Sequence, residues 1–383
     1  MAVALPGPDE VLLEPPDAAE VAFTARGVAS AVAPLAGLTE LQRFLIEALF
    51  PAMTGHPADL GAVEAVSPRE FAEGLRRRDL QFRTRGVQIM LICALILRPL
   101  PVEVTDRIAE FAKELGVDDA MIAVAREFAA GSLGLAAIDF ERNGYTATWH
   151  PDDATTLHTS SELQSAWDVC VADHVLASRW RELGELPAGT LGRGVWELYR
   201  ARGFVFPGIP GSAPPLLAQH DWVHVLADYG TTVESELEVF ALIARANDDM
   251  RAFSLLAMVI SLFETGYLRT GAGLFESSTG HLSANSNVAV RIADAMRRGA
   301  MCRDNDTGND SIDFLRLDWF TLAPLPTDDV RRRFGVTPKS EAAVGAGSVG
   351  PWQAGGISPF QINAGREQAE RQGYAYESYG AAP

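Results

Sequence analysis

The sequence predicts an all-α protein, with two helical domains set between a disordered N-terminal arm and a flexible C-terminal tail. Three observations carry this expectation. Apolar residues recur at three- and four-residue spacing through most of 38–334, while strand-like alternation is weak throughout. Polar and turn-forming residues interrupt that pattern at 143–161 (NGYTATWHPDDATTLHTSS), the natural boundary between two domains. A chain of 383 residues with 48% hydrophobic and 21% charged content can also bury two cores of moderate size.

Residues 1–35 are rich in proline, alanine and acidic residues and show no convincing period, so they read as a disordered arm. The first helical domain is expected over 36–145. It opens with Leu41, Phe44, Leu45, Ala48 and Leu49 on one helix face. Further helices are expected at 68–78, 84–97, 102–115 and 118–130. Gly116 stands where a glycine should end a helix, and Asp118 and Asp119 can cap the next one. The run VQIMLICALIL (87–97) lies between Arg85 and Arg98-Pro99. It is too short to cross a bilayer and reads as a buried core helix. The acidic side chains Glu40, Glu47, Glu103 and Glu110 read as solvated faces.

The second domain is expected over 160–337. Its helices are read at 162–180, 192–203, 216–229, 233–246, 250–267, 282–301 and 328–334, with the Pro/Gly loop FVFPGIPGSAPP (204–215) between the second and third. Residues 338–383 are rich in Gly, Ala and Ser and read as a flexible tail.

The net charge of −18 repels phosphate backbones and excludes nucleic acid as a natural partner. It offers no broad attraction to anionic lipid, so any membrane contact would be peripheral and apolar. Three separated cysteines, Cys93, Cys170 and Cys302, make neither a disulfide framework nor a zinc ribbon, which suits a reducing compartment. The first residues have no basic region and no apolar run of signal length, so a cytoplasmic protein is expected.

One stretch carries chemistry. His220-Asp221-Trp222-Val223-His224 places two of the seven histidines four residues apart, with an aspartate against the first. On a helix these three side chains project at about 0°, 100° and 40°. Two imidazoles one turn apart offer two nitrogens to a single cation. Asp221 is either a further ligand or an outer partner that orients an imidazole. Asp228-Tyr229-Gly230-Thr231 then punctuates the helix, so the next one can turn back and present Glu236. Two nitrogens and up to two oxygens suit zinc first, with iron(II) or manganese(II) as harder alternatives. The same residue types on one helix face also form an ordinary solvated polar patch.

With Glu236 twelve residues after His224, the pattern resembles that of the Coq-four family of ubiquinone (coenzyme Q) biosynthesis proteins, HDxxH followed by eleven residues and a glutamate. The segment LPAGTLGRGVWELYRARGF (186–204) and the segment LDWFTLAPLPTDDVRRRFGV (317–336) are similar to that family's flanking segments, in the same order. The chain departs from the family at Asp228 and Ser235, where glycine is usual. It also lacks the arginine that commonly precedes the first histidine, for 214–219 holds none.

The resemblance implies a helical protein whose His220, Asp221, His224 and Glu236 hold a divalent metal, with Glu236 and Asp221 as its catalytic carboxylates. It implies a quinone or polyisoprenoid lipid as ligand, and biosynthetic proteins and a homodimer as partners. The role would be in ring oxidative decarboxylation or in organising the pathway's enzymes. The run FSLLAMVISL (253–262) is apolar enough for a lipid slot or for plain core burial.

Two other readings stay open. A His-Asp pair also begins the site of HD-type phosphohydrolases, for which His174 and Asp248 would complete the ligands, although His174 lies beside Val171 and Val175 and reads as a core or interface histidine. A non-catalytic lipid-binding scaffold would keep the metal for structure alone. His150 and His158 lie in the interdomain segment, and His281 in the Gly/Ser segment SSTGHLSANS. Residues 36–145 are faintly similar to TerB-like helical domains of tellurite resistance but lack most of their acidic residues. An interaction or dimerisation module is the plainer reading there.

Overall fold

Ten of the sixteen residues from Leu80 to Leu95 form a continuous buried stretch at 86–95, and this helix sits at the centre of the N-terminal half. The computed structural model describes residues 14–58, 60, 65–97, 99–130, 172–213, 217–249, 252–253, 256–257, 259–260 and 287–381. The expected domain boundary at 143–161, His150, His158, Cys170 and His281 lie outside the described residues, as does most of 250–267. The all-α class is borne out. The described residues form helices, with isolated bridges between Thr190 and Pro326 and between Asp304 and Asn309. No described helix is long and apolar enough to cross a membrane.

The N-terminal half contains α1 (Ala18–Val32), α2 (Glu40–Thr54), α3 (Pro68–Gly74), α4 (Leu80–Leu95), α5 (Val102–Leu115) and α6 (Met121–Ala129). Thr39 and Gln42 form a capping box that starts α2, and the Gln42 amide also reaches Val32 O at 2.9 Å and Cys93 O at 3.1 Å. Gly116 ends α5 in the left-handed region at φ 65°, and Asp119 Oδ1 accepts from Met121 N at 2.9 Å, as the sequence leads one to expect. Val87–Leu95 is buried as expected of a core helix.

The C-terminal half contains α7 (His174–Glu182), a 3-10 turn (Leu183–Glu185), α8 (Leu191–Arg202), α9 (Gln219–Ala227), α10 (Val233–Ala246), α11 (Asn287–Met301), α12 (Trp319–Leu322), α13 (Thr327–Arg333), α14 (Glu341–Gly345) and α15 (Pro359–Gln372). Helix α11 packs on α10 by one side and on α2 by another. One apolar cluster runs from Val21 to Val336, so helices before and after 143–161 share a core. Polar contacts cross the same junction: Arg85 donates to Asp249 O at 3.1 Å and Gln81 to Asp248 O at 3.2 Å.

The disorder expected of 1–35 does not extend to α1. Asp17 caps this helix, and Val21, Ala25, Val28 and Val32 form a buried stripe along it. Most of that face is alanine and valine, which lets α1 come close to its neighbours. A Cβ added at Gly27 would lie 2.2 Å from the Phe71 ring. Nor does a flexible tail describe 341–372, where α14 and α15 form. Helix α15 starts from a Ser358/Gln361 capping box and packs on α8 around Ala201, Ile357, Ile362 and Ala381.

Candidate metal centre

All nine residues of α9 are buried, including His220, Asp221 and His224. An ordinary surface patch is thereby excluded, because its charges would face water. The apolar side of α9 is built on tryptophan. Trp222 stacks on Trp319 with centroids 5.8 Å apart and meets Trp180 at 5.5 Å. The opposite side carries the three polar ligand candidates. Asp228 ends the helix in the left-handed region at φ 61°, a conformation open to aspartate but favoured by glycine. Lys339 holds it there, donating to Asp228 O at 2.6 Å and facing its carboxylate at 3.1 Å. This explains how the chain tolerates aspartate at a position where the resembled family has glycine. Thr232 then caps α10, and the first turn of α10 returns Glu236 to the face of α9.

The four expected side chains meet. Glu236 Oε2 lies 3.2 Å from His220 Nε2, and Glu236 Oε1 lies 3.3 Å from His224 Nε2. Asp221 Oδ1 is 3.5 Å from His220 Nε2. Candidate ligand atoms of His220, Asp221 and His224 lie within 4.8 Å of one another, the one such group found among the described residues. His220 and Glu236 are only 6% and 3% exposed, and His224 is fully buried.

The other ring nitrogens decide the chemistry. His220 Nδ1 bonds to Leu217 O, and His224 Nδ1 bonds to Gly230 O at 2.6 Å. Carbonyls only accept, so both Nδ1 atoms carry the proton and both Nε2 lone pairs face the carboxylates. Two lone pairs and two carboxylates turned on one another need a positive charge among them. His224 Nε2, buried and with no hydrogen-bond partner, marks the same need. A proton meets part of it. Burial alone would lower the His220 pKa, but Asp221 and Glu236 outweigh burial and raise it to about 9. Burial likewise raises Asp221, while the two histidines overcome the burial of Glu236 and hold it well below the usual carboxylate range. A divalent cation fits the set better. It takes both nitrogens and the carboxylate oxygens at once, with each imidazole oriented by its own carbonyl.

Sequence reasoning missed Tyr199. From α8, its hydroxyl donates to Asp221 Oδ2 at 2.6 Å, which leaves Oδ1 directed at His220. A tyrosine on the buried face of an amphipathic helix carries no sequence sign of such a role. The two orienting carbonyls are main-chain groups and leave no sign at all. Ser235, another departure from the resembled family, accepts from Arg291 at 3.2 Å, and Arg291 pairs with Glu238 at 2.6 Å, so the serine helps tie α10 to α11. Gln219 Oε1 is buried with no hydrogen-bond partner beside His220.

The residues a phosphohydrolase would need are not brought to the site. His174 is exposed at the start of α7, which corrects its reading as a core histidine, and Val175 beside it is 58% exposed. Its apparent apolar face came from Val171, which lies outside the described residues, and from Val175, which points to water. Asp248 is exposed and bonded to Ser311 Oγ at 2.8 Å.

No protein-family model matches the chain. No curated protein matches it either. A solved structure is similar. It is a "putative ubiquinone biosynthesis protein" from Nostoc punctiforme, 20% identical, matched over 57% of this chain and 98% of that one with a TM-score of 0.33.

The proton shared at His220 has a measurable consequence in protein free of any metal. The folded state holds this proton more tightly than the unfolded state, whose ordinary histidine pKa is 6.5. Stability from this group is therefore complete below pH 6.5 and is lost as pH rises through about 9. The raised Asp221 acts in the same direction. Urea midpoints of the chelated protein should fall across that window more steeply than those of His220→Gln. Parallel curves would contradict the assignment.

Proposed function

We propose that the chain holds a divalent cation, zinc in the first place, on His220, Asp221, His224 and Glu236, and uses this centre on a quinone or polyisoprenoid lipid in the maturation of a quinone ring. The observation that carries the metal is the convergence of two Nε2 lone pairs and two carboxylates in a dry site, with both Nδ1 atoms already bonded to carbonyls. Support for the lipid comes from the sequence. The Coq-four-like pattern falls on the four side chains that meet, and its two flanking segments supply α8 with Tyr199, and α12 with α13.

When bound, such a metal supplies Lewis-acid polarisation or a water activated at neutral pH. The protein's own groups have separable parts. The two imidazoles donate neutral nitrogen. Tyr199 fixes the Asp221 carboxylate. Glu236, ionised and shielded from water, supplies charge that balances the cation, while Asp221, whose pKa burial raises, is the carboxylate better matched to take a proton from a substrate bound against the site. Among the described residues no observation favours phosphoester chemistry.

The test is elemental analysis of the purified full chain, joined to mass spectrometry of the lipid that co-purifies with it. About one equivalent of zinc, iron or manganese and a prenylated ring or chain are expected. A protein that binds neither when both are offered would overturn the reading. Glu236→Ala that stays folded and loses turnover marks an enzyme. Loss of the fold on chelation marks a metal kept for structure alone, as in a scaffold.

A further inference from the structure

A cavity of about 400 Å³ lies where the N-terminal helices meet the end of α10, and it contains none of the four clustered side chains. Its size falls in the range of small-ligand pockets, about 300–1,000 Å³. Arg245, nine residues after Glu236, lies about 13 Å further along α10. The cavity is therefore a separate place on the same helix.

Two kinds of surface line it. Phe50 and Met53 from α2 and Ile89 from α4 give an apolar wall, while Arg85 and Arg245 supply guanidinium groups. The Arg85 guanidinium lies 4.2 Å from the Phe253 ring centre and donates to Asp249 O, so it is held in place. Arg245 makes no hydrogen bond or ion pair among the described residues, and burial lowers its pKa. Burial lowers Arg85 as well, to about 10, and the neighbouring Arg245 charge adds to this. Of the acids that line it, Asp79 caps α4 through Phe82 N at 2.7 Å, Asp248 accepts from Ser311 and Glu14 acts on Arg78, while Asp249, Asp248 and Asp119 offset part of the effect of burial on Arg85. Two half-dehydrated cations held together, one of them without an anion, form a site built for a negative group.

We propose that this cavity binds an amphipathic anion, with a carboxylate or phosphate head on Arg245 and Arg85 and an apolar body along Phe50, Met53 and Ile89. The inference is independent of the metal reading. The ligand joins α2 and α4 to α10, so its binding bridges the two halves of the chain.

Gly86 provides a specific test. It lines the cavity from inside α4, and a Cβ added there meets nothing within 4 Å. Gly86→Leu should therefore project a side chain into the space from an unobstructed Cβ and gain helix propensity. Calorimetric titration of the full chain would use decanoate and decyl phosphate as the two head-group sources, with decanol and inorganic phosphate as controls. At least one amphipathic anion should bind below about 1 mM, and Arg245→Gln should weaken it about tenfold or more. Gly86→Leu should abolish binding with helical content and metal content unchanged. Stronger binding of decanoate assigns a carboxylate, and stronger binding of decyl phosphate a phosphate. The proposal fails if neither anion binds, if decanol binds as tightly, or if both variants bind like the parent.

Discussion

Replacing Arg202 with alanine is expected to remove about 3–5 kcal/mol of folding stability and to release the C-terminal segment. Arg202 is fully buried at the end of α8. Its Nε donates to Thr231 Oγ1 at 2.5 Å, and its Nη2 donates to Pro351 O at 2.8 Å and Gly356 O at 3.0 Å. Its guanidinium also faces the Trp352 ring. These contacts join the loop after α9 to the segment before α15. The same loop is held by Gly230 N on Val349 O and Thr231 N on Gly356 O, both at 2.9 Å, and by a pair of bonds between Thr231 and Gln361. The approach is close enough that a Cβ at Gly230 would lie 2.8 Å from Gly356 Cα.

Alanine leaves the Pro351 carbonyl without this donor and opens a cavity of side-chain size. Part of the loss is offset, because burying the guanidinium is itself unfavourable and lowers its pKa to about 9. Arg202→Met, which keeps the volume and recovers that cost, should therefore lose less than Arg202→Ala. Because Gly230 O orients His224, the alanine variant should also bind metal about 10–100-fold more weakly. Urea unfolding followed by circular dichroism, with limited proteolysis of 339–381, measures these effects. An unfolding free energy within about 0.5 kcal/mol of the parent would refute the clasp, since that is the scale of a neutral surface change.

The parts of the molecule that were legible from sequence are those stabilised by side-chain periodicity and local turn chemistry. Helices α5 and α10 begin and end where their apolar pattern and flanking turn residues place them, at Val102–Leu115 and Val233–Ala246. The pattern HDxxH with Glu236 named the four side chains that meet, because helical spacing fixes three of them relative to one another. What escaped has a common physical cause. Helix α15 buries one large apolar residue, Ile362, beside Gln361, Gly365, Gln368 and Ala369, and hydrogen bonds to Thr231 and the Phe204 carbonyl help to anchor it. A hydropathy pattern does not register a helix held in that way. Helix α1 buries small residues whose contribution comes from close approach, and the proline and acid around it mask the stripe. At the site, Tyr199 and the carbonyls of Leu217 and Gly230 act through distances that exist only once α8, α9 and the loop after α9 are assembled.

Metal removal should produce the second large effect. A cation present at a thousand times its dissociation constant stabilises the native state by about 4 kcal/mol, and chelation removes that amount. The loss should shrink to about 1.4 kcal/mol or less in His224→Ala, whose metal affinity is expected to fall by at least about 100-fold, beyond the range usual for outer-shell changes. Glu236→Gln tests the charge alone. The amide keeps the shape but cannot neutralise a divalent cation, so affinity should fall sharply while the helical signal remains. Tyr199→Phe removes only the bond that orients Asp221, and it should cost about 10–100-fold. The order of the three variants discriminates more than any one of them does. If the histidines and Glu236 bind the ion directly and Tyr199 acts through Asp221, then His224→Ala and Glu236→Gln must each exceed Tyr199→Phe. If the cluster is instead a buried polar network that a proton satisfies, the variants alter stability and its pH dependence while added zinc, iron(II) or manganese(II) shifts the melting of none of them. Melting curves of the parent and the three variants, with and without each metal, separate these cases: a parent protein indifferent to all three ions would end the metal assignment.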